Sequence, residues 1–183
     1  MKRQQRHRGR TGPFKSRSHD AWYPRWKFNR ALDYEQGQDV QADPAEAIRL
    51  MTEAAEKGNR EALLHLGWCF LNGVGVAMDL DQARFWYRKS ARRGEPRAMY
   101  SLADIEIEAH NFELATEWLR GAIATNYADA RFLLGKLYWR GWGVPQDRKQ
   151  AMVLFTEAAR AKVPEAQRVL RFFEYRIKRA RQR

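Results

Sequence analysis

Residues 43–79, DPAEAIRLMTEAAEKGNREALLHLGWCFLNGVGVAMD, decide the fold, because the same stretch returns, altered but in register, at residues 79–111 and 111–147. Small residues keep the period. Ala47, Ala83, Ala115 and Ala151 form one series, and Ala62, Ala98, Ala130 and Ala166 a second, both with steps of 36, 32 and 36 residues. Agreement between two independent series excludes chance spacing, so the chain is an array. Stacked repeats bury a continuous core between neighbours and present an extended surface for holding another molecule, not by default a catalytic pocket.

Each unit reads as two helices, the first at residues 61–72 and 97–110, the second at 80–93 and 112–125. In the second helix Ala83, Tyr87 and Ala91 recur about every fourth residue with Trp86 and Ser90 beside them, which draws one apolar stripe on a helix. Gly58 and Gly94 follow the last helical residues, where a left-handed cap is expected; Asn126 is the next best residue there, and Lys162 departs from the series. Asp43, Asp79 and Asp147 stand at N-cap positions, with Asn111 in the short unit. Two loops of one design, Gly73-Val74-Gly75-Val76 and Gly141-Trp142-Gly143-Val144, lie 68 residues apart. A phosphate-cradling fingerprint needs a strand before the glycines and a third glycine opening a helix; neither is present, so these glycines serve tight interhelical turns.

The pattern of a small residue, Leu-Gly, an aromatic, Gly-x-Gly-Val, Asp, Ala, Trp-Tyr and Ala-x-x-Gly resembles the Sel-one-like repeat, a tetratricopeptide-like module. Ala62, Leu66, Gly67, Phe70, Gly73, Gly75, Val76, Asp79, Ala83, Trp86, Tyr87, Ala91 and Gly94 carry it. Ala130, Leu134, Gly135, Tyr138, Gly141, Gly143, Val144, Asp147, Ala151, Phe155 and Ala159 carry it again, and Tyr34, Gly37, Val40, Asp43 and Ala47 form a degenerate earlier copy whose first helix is truncated or built from residues 26–36. The resemblance implies an all-α, right-handed solenoid of about four helix pairs acting as a scaffold for protein complexes. Residues 1–25 are expected to be a basic, disordered tail, 26–167 the array (units near 26–61, 62–97, 98–129 and 130–165), and 166–183 a basic capping helix. The third unit departs from the pattern: the glycine loop is gone, Glu106 stands where an aromatic belongs, and a hinge or kink is expected near residues 105–111.

At 183 residues, 44% of them apolar, the chain has enough material for one continuous core. The net charge of +12 sits at the ends: residues 1–30 hold ten Lys and Arg against Asp20, residues 168–183 hold seven against Glu174, and the array between is mildly acidic. Basic ends attract nucleic acid, an anionic membrane surface or an acidic protein. A single cysteine, Cys69, rules out an intrachain disulfide and with it the cysteine-rich secreted relatives of this repeat; a reducing, cytoplasmic setting fits. No apolar h-region follows the N-terminal Met-Lys-Arg, residues 1–20 are poorly suited to a transit peptide, and no window approaches the roughly 20 apolar residues of a membrane span.

In the first helices Ala62, Leu66, Cys69 and Phe70 face the core, matched by Ala130, Leu134, Leu137 and Tyr138. A second apolar row remains: Leu64, Trp68 and Leu71; Tyr100 and Ile107; Phe132 and Trp139; Phe172 and Tyr175. In tetratricopeptide-like solenoids first helices line the concave surface, so Leu64, Trp68, Tyr100, Asp104, Phe132, Lys136, Trp139 and Arg140 are candidates for a protein-binding groove. The same row equally suits helices covered on two sides by neighbours. Asp104, Lys136, Glu108 and Arg140 interrupt it with charge, which favours an accessible surface.

Arg6, Arg8, Arg10, Lys15, Arg17, Arg25 and Lys27, interleaved with Phe14, Trp22, Tyr23, Trp26 and Phe28, could neutralise phosphates while rings stack on bases; for residues 22–28 the preferred reading is a cap over the first repeat. On a helix begun by Pro164, Ala166, Leu170, Phe173 and Ile177 form the apolar stripe, and Arg168, Arg171, Lys178 and Arg179 stay outside, free for RNA, the ribosome or an acidic protein, or simply solvated. His7, His19, His65 and His110 have no metal-motif spacing, and no nucleophile has a base at a motif's distance; no metal, cofactor or catalytic residue is expected. The expected function is a non-catalytic adaptor that grips a protein segment in its groove. The alternative is an RNA- or ribosome-associated protein in which the basic ends do the binding.

Overall fold

The computed structural model describes residues 17–181, and among them are nine helices: α1 (Arg17–Gln36), α2 (Pro44–Glu56), α3 (Arg60–Asn72), α4 (Leu80–Ala91), α5 (Pro96–Glu108), α6 (Phe112–Ala124), α7 (Ala128–Arg140), α8 (Arg148–Arg160) and α9 (Pro164–Arg181). They pack as four antiparallel pairs, α1/α2 to α7/α8, each touching the next through α2–α3, α4–α5 and α6–α7, while α9 closes on α8. This is an all-α solenoid. Helix α1 begins well inside the segment expected to be tail and is longer than the 26–36 stretch expected for it.

The two alanine series are buried throughout, since Ala47, Ala62, Ala83, Ala98, Ala115, Ala130, Ala151 and Ala166 are each at most 2% exposed. A methyl is all that fits where two helices of a pair, or two pairs, meet, which is why the series keeps the repeat's register. Leu66, Cys69, Trp86, Tyr87, Leu102, Leu119, Leu134 and Phe155 fill the space between.

Caps follow the expected pattern with two exceptions. Asp43 accepts from the Glu46 amide, Asp79 from Asp81 and Gln82, and Asp147 from Lys149 and Gln150. Asn111, however, makes no capping bond; its side-chain amide donates instead to Glu106 Oε2 at 2.8 Å. The second exception is Lys162, which keeps the left-handed backbone (φ +67°) of Gly58, Gly94 and Asn126 despite its side chain. Non-glycine residues pay about 1 kcal/mol for that conformation, and the Lys162 side chain is solvent-exposed. Lys162→Gly is therefore expected to raise stability by about 0.5–1 kcal/mol, read as a higher urea midpoint at unchanged slope; an unmoved midpoint would refute the assignment.

Where a hinge or kink is expected, Glu106 is buried and tied on both sides. Its carboxylate accepts from Arg84 Nε of the preceding pair at 3.1 Å and from Asn111, and Arg88 approaches at 4.0 Å. An ion pair across two repeats takes the place of the aromatic that Phe70 and Tyr138 supply elsewhere. Removing either partner would strand the other charge, the costly case for a buried pair.

Candidate functional site

First helices α3 and α5, the residue before α7, and α1 at the end of the array together line a cavity of about 620 Å³. Amphipathic periodicity puts Leu64 and Trp68 one turn apart on α3, and Tyr100 follows at the same position of α5 as Leu64 on α3, one 36-residue step on. Tyr127, Phe28 and His65 complete the apolar wall, with Glu61, Arg97 and Ser101 as its polar part. Trp68 is 42% exposed at this cavity. Its indole lies 5.3 Å from the His65 ring, and Phe28 meets that ring edge-on at 6.1 Å. Burial first, then the Asp104 carboxylate, pushes the Tyr100 phenol up to about 12. Tyr100 and Tyr127 stack edge-to-face at 5.7 Å, and burial likewise raises the Tyr127 phenol. Both hydroxyls therefore stay neutral and free to donate hydrogen bonds at any ordinary pH.

The other candidates of the groove fall elsewhere. Lys136, Trp139 and Arg140 line a second cavity of about 380 Å³ between α7 and α9, together with Phe155, Arg168, Phe172 and Phe173. Trp139 is held by Phe173 at 5.0 Å, and Arg140 stacks over Trp142 at 4.5 Å. Asp104 is in the lining of neither; its carboxyl is raised by burial and by Glu108, and Lys136 opposes that rise. Phe132 is half-buried against Ala158, Val163 and Ala166 and meets the Phe155 ring at a tilt, centroids 5.5 Å apart, so it belongs to the junction of α7 with α9 rather than to an open wall. Leu71 and Ile107 likewise back onto the core, whereas Phe172 and Tyr175 are 54% and 61% exposed.

Among the basic candidates, Arg6, Arg8, Arg10 and Lys15 lie outside the described residues, as does the side chain of Arg17. Arg25 is exposed, and so are Arg168, Arg171, Lys178 and Arg179 on α9. Lys27 is a correction: it is 8% exposed, ion-paired with Glu53 of α2 and set over the Tyr23 ring at 4.6 Å. An ammonium already neutralised inside the α1–α2 contact is not available to a polyanion.

Folding also makes a grouping that spacing alone concealed. Glu35 of α1 reaches His65 of α3, Oε2 to Nε2 at 2.9 Å, and the Cys69 thiol stands one turn further along α3. Burial, with a smaller push from Glu35, raises that thiol to about 12. Read from the sequence, His65 stands isolated; Cys69 lies four residues on along the same helix, and the third member is 30 residues upstream of His65 with no motif to announce it.

Geometry and repeat together define a class: a helix-pair solenoid with an aromatic-lined face on its first helices. The Sel1 repeat matches residues 28–59, 60–95 and 128–163, more than half of the chain, and the chain belongs to the Sel1 repeat family. Such repeats typically mediate protein–protein interaction, and the family is generally a non-catalytic scaffold. The chain is 32% identical to an uncharacterized protein of Neisseria meningitidis serogroup B over 75% of its own length and 29% of that protein's. It is 29% identical to chitin synthase regulatory factor 2 of Schizosaccharomyces pombe over 59% of its length and 23% of that relative's. It thus spans under a third of the curated relatives it matches. Among solved structures it resembles c5321, a protective antigen of uropathogenic Escherichia coli with an SLR fold (28% identity, TM-score 0.74, 81% of this chain and 34% of that one). A Sel1 repeat protein from Oxalobacter formigenes is similar too (28%, TM-score 0.69, 84% and 46%). No helix among the described residues is long and apolar enough to cross a membrane.

Proposed function

We propose that this chain is a non-catalytic cytoplasmic adaptor whose first-helix face holds a segment of a partner protein against Leu64, Trp68, Tyr100 and Tyr127. The observation that carries the proposal is the exposure of Trp68, 42%, at the cavity of about 620 Å³. A large ring left half in water beside other rings is the kind of rigid anchor that dominates protein interfaces. Glu61, Arg97 and Ser101 supply the few polar contacts that set the direction of a bound segment.

Trp68→Ala is expected to weaken partner binding about a hundredfold, the cost of a typical hot-spot residue, while the helical circular dichroism and thermal midpoint stay near those of the parent. Phe85→Ala serves as the control, because Phe85 is equally exposed but sits on second helix α4, away from the cavity. The partner is first recovered by affinity capture on the parent chain, then titrated against both variants. Equal binding by the two variants would end the proposal.

A second reading has its own observation: on α9, exposed Phe172 and Tyr175 alternate with exposed Arg168, Arg171, Arg176 and Arg179. Arginines interleaved with rings suit a phosphate backbone with unpaired bases. Binding through this face should fall steeply as salt rises, whereas binding in the apolar cavity should barely change.

A further inference from the structure

We propose that Glu35, His65 and Cys69 form a site for a borderline-soft divalent cation of the zinc type, which would staple α1 to α3. The ligand atoms of the three residues all lie within 4.8 Å of one another. Thiolate, imidazole and carboxylate together are a donor set that suits zinc and disfavours magnesium or calcium. The charges balance: one thiolate and one carboxylate neutralise a divalent ion, so the bound state buries no net charge.

Three features favour the site over a chance meeting. His65 and Cys69 are one helical turn apart, so their side chains issue from the same face of α3. The His65 ring packs against both Phe28 and Trp68, and its Nε2 is engaged by Glu35. A cavity of about 60 Å³ adjoins Glu35 and Cys69, bounded also by Met51 and Val74. That is room for a water as fourth ligand.

Binding is a proton exchange. The Cys69 S–H bond breaks, the proton leaves to solvent, and sulfur donates its pair to the metal. The His65 Nε2 pair goes to the metal with the ring proton on Nδ1, and Glu35 exchanges its hydrogen bond to His65 for a metal–oxygen bond. The thiol proton is released with each ion bound, so affinity must fall as pH falls.

Cobalt chloride titrated into the full chain under reducing conditions tests the proposal, because Co²⁺ bound to a thiolate shows a sulfur-to-metal charge-transfer band. With one cysteine in the chain, the band can come only from Cys69. The expected result is saturation at one equivalent, displacement by Zn²⁺, a higher thermal midpoint with Zn²⁺, loss of the band in Cys69→Ala, and affinity at least about tenfold weaker in both Glu35→Gln and His65→Gln. Glu35 and His65 are only part-buried, so these two variants keep the fold, which circular dichroism checks. Absence of the band in the parent chain overturns the proposal. So does a band whose affinity is unchanged by Glu35→Gln and His65→Gln, since the thiolate would then be meeting the metal with other ligands.

Discussion

Gly143→Ala is expected to cost about 3 kcal/mol or more, a large part of the stability of a domain this size. A Cβ built on Gly143 would lie 2.4 Å from the carbonyl carbon of Phe112, 2.5 Å from its oxygen and 2.7 Å from the Glu113 nitrogen. All three are backbone atoms at the start of α6, so no side chain can turn aside, and φ is +64° besides. Gly75 meets Pro44 of α2 in the same way, its Cβ falling 3.1 Å from the Pro44 oxygen. The second glycine of each loop is therefore where one repeat lies directly on the backbone of the one before. Gly94 separates the two penalties. It has φ +82° but nothing within 4 Å of a Cβ, so Gly94→Ala should cost only about 1 kcal/mol for the left-handed backbone. Denaturant unfolding of both variants checks this; equal losses would show that the close approach carries no cost.

Gly67→Ala is expected to cost about 2–3 kcal/mol through overpacking, and shrinking the residue it faces should cancel most of that cost. The new methyl would lie 2.5–2.8 Å from three ring atoms of Tyr87, and at Gly135 the same methyl would meet the Phe155 ring at 2.7 Å. The chain contains its own compensated versions. One step of 36 residues before Gly67 stands Ala31, with Met51 in the place of Tyr87; one step after stands Ala103, with Leu119 in that place. All four are fully buried. Glycine goes with a ring and alanine with an aliphatic chain, as expected if the two positions share one fixed volume. The double variant Gly67→Ala/Tyr87→Leu should thus be about as stable as Tyr87→Leu alone, with a coupling of about 1–3 kcal/mol in a double-mutant cycle. Additive losses would refute the shared-volume account.

Period and caps were legible because they are local. A buried alanine every 36 or 32 residues, an aspartate before a helix and a glycine after it each report on backbone within a turn of themselves. Lys162 shows the limit of that reading: it departs from the series in identity, yet its neighbours hold it in the left-handed conformation that the fold requires. The candidate groove was legible in part. Leu64, Trp68 and Tyr100 do share a cavity, but Phe132 packs into the α7–α9 junction and Trp139 lines a separate cavity, because they lie further along the array, where α9 covers α7.

By itself, then, the chain's sequence determined that it is a helical array, roughly where the helices of its repeats begin and end, and that its positive charge lies at the ends, since periodicity, caps and composition need no knowledge of distant residues. Only the tertiary structure decided which apolar side chains stay open to a partner and that Lys27 is spent inside a helix contact. It also decided that Glu106 bridges two repeats and that Glu35 meets His65 and Cys69. The reason is the same in each case: these contacts join residues 20 or more positions apart, and which of many equivalent pairs is made depends on the angle at which one repeat settles on the next.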